Sequence, residues 1–135
     1  MSPIARPLRV LVADDHRDSA DTLAVLINLW GHEAHAVFDG RAALQAAATF
    51  QPDVLILDIL MPNLDGFQLA EALRRGNAAD RTAIIAHSAY FDDDYRRKAI
   101  EVGIDHYLLK PVDPTYLRSL LQGIVEARQF AHVAG

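Results

Sequence analysis

Short apolar runs in this chain end repeatedly on residues that can handle charge. Residues 8–13 lead into Asp14 and Asp15, residues 54–57 into Asp58, residues 83–87 into Ser88, and residues 106–109 into Lys110. A carboxylate at the end of a buried strand is held on a rigid edge. Such a group can serve as a covalent nucleophile toward phosphorus, and several together can hold a divalent ion. The sharpest case is the stretch 54–66. Four apolar residues run straight into Asp58, and Pro62 and Gly66 follow. Proline cannot donate to a sheet ladder and glycine tolerates unusual dihedrals, so the strand must stop soon after Asp58.

The elements that would position these groups can be read in order. Residues 8–13 form a buried strand. Residues 16–30 show helical spacing, with Ala20, Leu23, Ala24, Leu26, Ile27 and Trp30 on the apolar positions and Gly31 as a C-terminal stop. Residues 34–38 form a short strand, and Asp39 caps an Ala-rich helix over 40–49. Strand 54–58 precedes a helix over 65–75, where Asp65 reads as a cap. Residues 83–87 form a fourth strand. Asp92, Asp93 and Asp94 suit the positive end of a helix that stops at Gly103. Strand 106–109 ends at Lys110-Pro111, and Asp113-Pro114 opens a last helix to about residue 129.

Five strands alternating with five helices call for a parallel sheet covered on both faces. This is a single doubly wound α/β domain. Right-handed crossovers leave few topologies. A strand order of 2-1-3-4-5 sets the C-terminal ends of strands 1 and 3 side by side at the switch point, where open sheets bind ligands. Asp14, Asp15, Asp58, Ser88 and Lys110 then meet at one edge.

Three carboxylates meeting there repel. At 4 Å and an effective dielectric near 20, each pair costs about 4 kcal/mol. A proton must be held or a cation bound, and one lysine cannot offset three charges. Oxygen-only ligands with open water positions favour Mg²⁺ over Zn²⁺. A metal would also bridge the nucleophile and an incoming phosphoryl oxygen. Positioning and charge stabilisation are most of what phosphoryl transfer requires.

Composition narrows the remaining classes. A chain of 135 residues with 51% hydrophobic content suits one compact domain. The absence of cysteine removes disulfide scaffolds and thiolate sites and fits a reducing cytoplasm. No stretch is long and apolar enough for a membrane helix, and the start lacks the apolar core of a signal peptide. A net charge of -5 gives no general attraction for nucleic acid. The expected division is an N-terminal extension over 1–7, a domain over 8–129 and a tail over 130–135.

Asp14-Asp15, Asp58 with Met61-Pro62 and Asp65-Gly66, Ser88-Ala89, Tyr107 and Lys110-Pro111 together resemble the response-regulator receiver domains, the CheY-like family of flavodoxin-like fold. The likeness spans about residues 8–129. It implies that Asp58 accepts a phosphoryl group from a histidine kinase or a histidine phosphotransfer protein. It implies that Asp15, Asp58 and the backbone carbonyl of Leu60 bind Mg²⁺, with Asp14 acting mostly through water. Lys110 would contact Asp58 and then the phosphate, Ser88 would hydrogen-bond a phosphate oxygen, and Tyr107 would turn inward behind it. The output surface would be helix 92–102, strand 106–109 and the last helix, read by a downstream protein that the sequence does not name. The family usually holds Lys110-Pro111 cis, which proline makes inexpensive.

Other readings stand beside these. An aspartyl-phosphate phosphatase or phosphotransferase would share the nucleophile. Hydrolases of the haloacid dehalogenase kind, however, want a second Asp where this chain has Leu60. His32 and His35 form an H-x-x-H pattern that reads as surface histidines, and Arg74-Arg75 and Arg96-Arg97-Lys98 as solvated helix faces. His87 departs from the family, which has an apolar residue there. Leu60 and Tyr90 flank the approach to Asp58 without an acid or amide to orient water, so self-dephosphorylation is expected to be slow.

Overall fold

The computed structural model describes residues 6–76, 81–90 and 92–134, with side chains as far as Gln129. The strands are β1 (Arg9–Ala13), β2 (Glu33–Val37), β3 (Val54–Leu57), β4 (Ala83–Ser88) and β5 (His106–Leu109). The helices are α1 (Arg17–Leu29), α2 (Gly40–Phe50), α3 (Gly66–Arg74), α4 (Asp93–Val102) and α5 (Pro114–Ala134). All pairings are parallel, as the alternation of elements requires, and the sheet order is β2-β1-β3-β4-β5, as expected. Residues 1–5 of the expected extension and Gly135 lie outside the described residues.

The side-chain period of two along each strand splits the core into two layers. Val10, Val12, Ile56 and Ile85 face α1 and α5, where Ile27, Leu117 and Leu121 close the layer. Leu11, Leu55, Leu57 and Ile84 face α2, α3 and α4, meeting Ala43, Leu69 and Ala99. β3 is buried at every position, which is why it reads as an unbroken apolar run.

Helix starts follow the acidic caps. Asp39, Asp65 and Asp92 each accept a hydrogen bond from the backbone N–H three residues on. Asp65 and Gln68 complete a capping box. Gly31 and Gly103 take positive φ past α1 and α4 and end them. α5 runs to Ala134, past the stop expected near residue 129. No glycine or proline interrupts the chain between Gly123 and Gly135.

Two surface assignments change. His32 is buried, and its Nδ1 accepts from the Leu8 backbone N–H at 3.0 Å, which ties the α1–β2 turn to the start of β1. Burial pushes its pKa below the ordinary imidazole value. His35, as expected, is exposed, and it pairs with Glu33. Arg74 is not a solvated side chain. Its guanidinium donates to the Gly103 carbonyl at 2.7 and 3.0 Å, to the Thr82 carbonyl at 2.8 Å and to Asp105 at 2.9 Å, clamping α3 to the starts of β4 and β5. Arg75, Arg96, Arg97 and Lys98 are exposed, as expected.

Candidate functional site at the C-terminal edge of the sheet

The backbone ladder continues one residue past the strands, and this fixes the site. The Asp14 N–H donates to the Val37 carbonyl at 3.1 Å, that of Asp58 to Ala13 at 2.9 Å, and that of Lys110 to Ser88 at 2.9 Å. Three side chains from three loops are therefore aimed from a rigid frame. The Gly66 N–H also donates to the Ile59 carbonyl at 2.8 Å, which folds the loop after Asp58 back under the site.

The side chains converge as the strand register requires. One carboxylate oxygen from each of Asp14, Asp15 and Asp58 lies within 4.8 Å of the others. Lys110 Nζ bridges two of the three groups, at 2.8 Å from Asp14 Oδ2 and 2.9 Å from Asp58 Oδ2. Asp14 is only 3% exposed, and its Oδ1 accepts from the His16 N–H at 3.0 Å. His16 caps α1, its side chain accepting from the Ser19 N–H. Asp58 Oδ1 accepts from the Leu60 N–H at 3.2 Å. Asp15 is exposed, and among the described residues its carboxylate has no hydrogen bond or ion pair.

The charges are imperfectly balanced. Burial raises the Asp58 pKa above the ordinary carboxylate value. Lys110 opposes that rise and Asp14 reinforces it. Burial alone would lower Lys110, but its bonds to Asp14 and Asp58 outweigh that and hold its pKa above the usual value. One ammonium shared between two carboxylates serves itself better than it serves Asp58. The donor set is all oxygen, it carries two negative charges beyond the one Lys110 offsets, and it fits a hard divalent cation.

Ser88 and Tyr107 sit on the β4–β5 side of the same edge. Ser88 is fully buried, and its Oγ accepts from the Tyr90 N–H at 3.2 Å. The Tyr107 ring is half-buried against the α2–α4 layer, and its hydroxyl donates to the Tyr90 carbonyl. Burial raises the phenol's pKa, with Ser88 opposing through a hydrogen bond. Ser88, Tyr90 and Tyr107 thus form one connected set. The Lys110–Pro111 peptide is cis.

His87 points to the other face, toward α1. It lines a groove of about 580 Å³ with Leu23, Lys110 and Pro111. Its Nε2 is buried with no hydrogen-bond partner among the described residues. Burial, then Lys110, depress its pKa to about 4, so the ring is neutral at pH 7.

A model of the response regulator receiver domain matches residues 10–122. The chain belongs to this family, whose members are signalling modules of two-component systems. The regulatory protein AtoC of Escherichia coli K12 is 32% identical over 114 residues, which cover 84% of this chain and 24% of AtoC. The sensor protein EvgS of the same organism is 34% identical over 134 residues, covering 98% of this chain and 11% of EvgS. The chain therefore spans a quarter or less of these two relatives. The solved structure of the chemotaxis protein CheY4 of Vibrio cholerae matches with a TM-score of 0.83 at 28% identity, covering 88% of this chain and 99% of that one. Among the described residues, no helix is long and apolar enough to cross a membrane.

Proposed function

We propose that this receiver domain takes a phosphoryl group on Asp58 from a phosphohistidine, carried by a histidine kinase or a histidine phosphotransfer protein. The likeness to a sensor protein supports that class of donor. The observation that carries the reading is the cluster of Asp14, Asp15 and Asp58 carboxylates within 4.8 Å, with Lys110 between two of them. A carboxylate oxygen of Asp58 bonds to phosphorus as the P–N bond to the donor imidazole breaks, and the bonding pair leaves with that nitrogen.

Asp14, Asp15, Asp58 and the Leu60 carbonyl hold Mg²⁺ in this reading. Bound there, the ion supplies charge neutralisation for the phosphoryl oxygens. Lys110 releases a carboxylate and pairs with the added phosphate charge. Ser88 donates its hydroxyl to a phosphate oxygen and gives up its bond from the Tyr90 N–H. Tyr107 follows, because its hydroxyl is tied to the same Tyr90 segment. The change is read on α4, β5 and α5, where Ile100, Leu109 and Tyr116 are exposed. A shift from 1:99 to 99:1 needs about 5.5 kcal/mol of differential binding, within reach of a few charge-assisted hydrogen bonds. The domain carries out its own phosphorylation and dephosphorylation and turns over no external substrate.

The test is an intact-mass measurement after incubation with acetyl phosphate or phosphoramidate and Mg²⁺. One added phosphate, absent in Asp58→Asn and without Mg²⁺, is the expected result. Continuous turnover of small phosphoesters would move the chain to the aspartyl-phosphate hydrolases. No adduct at all would end the reading.

A further inference from the structure

The sheet edge opposite Asp58 carries the reverse charge. Where the chain enters β3, β4 and β5, a two-lobed cleft opens, and its lobes share Arg81, Thr82 and Arg128. The larger lobe, about 490 Å³, adds Arg74 and His106, and the smaller, about 210 Å³, adds Arg6. The larger falls within the range of small-molecule sites.

Two carboxylates face the cleft, and both are already committed. Asp53 accepts from the Arg9 N–H at 2.9 Å and pairs with Arg128 at 3.4 Å. Asp105 accepts from the Ile84 N–H at 2.8 Å and pairs with Arg74 at 2.9 Å. Among the described residues, the guanidinium groups of Arg6 and Arg81 have no hydrogen bond or ion pair. Among the described residues lining the cleft, two positive charges are thus left over, in a chain whose net charge is -5. A concave surface focuses such a field.

Arg128 is held in place before any ligand arrives. Its guanidinium donates to the Asp53 carbonyl at 3.1 Å and to the Arg81 carbonyl, beside its pair with Asp53. Arg81, exposed and unpaired among the described residues, stands at the wall common to both lobes. Planar guanidinium groups suit oxyanions with several acceptor oxygens. The larger lobe also has uncharged floor at Ala83 and Gly103, room for a neutral body beyond the charged group.

We propose that this cleft binds a small phosphate-bearing molecule, with Arg81 and Arg128 contacting the phosphate. The site shares no residue with the Asp58 edge, and it stands whether or not Asp58 is phosphorylated.

The test uses the full chain, ¹⁵N-labelled, in Mg²⁺-free buffer with EDTA. Sodium pyrophosphate is titrated at constant ionic strength. Saturable amide shifts at Thr82, Ala83 and His106 are expected, and Arg81→Glu should weaken the midpoint about tenfold or more. Arg81→Glu alters an exposed side chain outside the core, and an unchanged thermal melt checks that the variant folds. The proposal is overturned if sodium chloride gives the same shifts, if citrate binds as tightly as pyrophosphate, or if Arg81→Glu binds as well as the parent.

Discussion

Lys110 and Asp58 are 52 residues apart in the chain and 2.9 Å apart in space, and the same ammonium lies 2.8 Å from Asp14. That geometry makes Lys110 the counter-ion of a site with too much negative charge. Removing it leaves two largely buried carboxylates facing each other. Lys110→Met is expected to destabilise the fold by about 3 kcal/mol at pH 7 in EDTA, since an uncompensated buried charge is costly. Saturating Mg²⁺ should recover much of the loss, because a ligand bound only by the folded state stabilises it by mass action. Urea denaturation with and without Mg²⁺ measures both. A loss of stability that Mg²⁺ leaves untouched would show that the acidic trio does not hold the ion.

Gly66 bears on the same site from behind. A Cβ added there would lie 2.6 Å from the Asp58 carbonyl oxygen and 2.8 Å from Ile59 Cα, both backbone atoms with no freedom to swing away. Gly66→Ala should cost about 1–3 kcal/mol and slow phosphorylation by displacing Asp58. Gly123 is the control. Nothing lies within 4 Å of its added Cβ, and it sits inside α5. Gly123→Ala should stabilise by about 0.5–1 kcal/mol and leave phosphorylation unchanged. Thermal melts and adduct mass on the two variants separate a steric effect at the site from a general glycine effect.

His87 supplies a pH dependence. Its pKa falls from 6.5 toward about 4 on folding, because burial and Lys110 disfavour the cation. The unfolded chain therefore binds a proton that the folded one refuses between those two values. Stability is full above pH 6.5 and declines as pH falls toward 4, by roughly 3 kcal/mol in all. His87→Leu should flatten that limb of the stability curve. It should also stabilise at pH 7, since a buried nitrogen without a partner is removed. Chemical denaturation from pH 4 to 7 checks the slope. An unchanged slope in the variant would place the titration elsewhere.

The site was legible because its residues follow strands whose apolar runs are unmistakable. β3 is buried throughout, and parallel pairing leaves Asp14, Asp58 and Lys110 no choice of edge. The caps were legible for a local reason, since Asp39, Asp65 and Asp92 act within three residues of themselves. Arg74 and His32 were not legible. Their partners at Gly103 and Leu8 are distant in sequence, and no local pattern distinguishes a clamping arginine from a solvated one. The bridging of Asp14 by Lys110 was missed for the same reason. Spacing places Lys110 at the edge but does not say how many carboxylates it serves. The length of α5 could have been read, because no helix breaker stands between Gly123 and Gly135.

The lifetime of the phosphoryl group follows from what surrounds Asp58. Leu60 is 47% exposed and Tyr90 57% exposed, and both come from segments at the mouth of the site. Neither side chain offers a carboxylate or amide to orient an attacking water, the positioning that hydrolysis of an acyl phosphate needs. Tyr90 is also engaged, with its ring 6.3 Å from that of Tyr95 and its backbone holding Ser88 and Tyr107. Loss of phosphate is therefore expected to be slow. Leu60→Asn places an amide two residues from the phosphorylated carboxylate and should hasten the loss by roughly tenfold. After removal of the small-molecule donor, the decay of the phosphorylated mass in Mg²⁺ gives both rates. A parent protein that sheds its phosphate quickly, at a rate Leu60→Asn does not alter, would show that these two positions do not control the water.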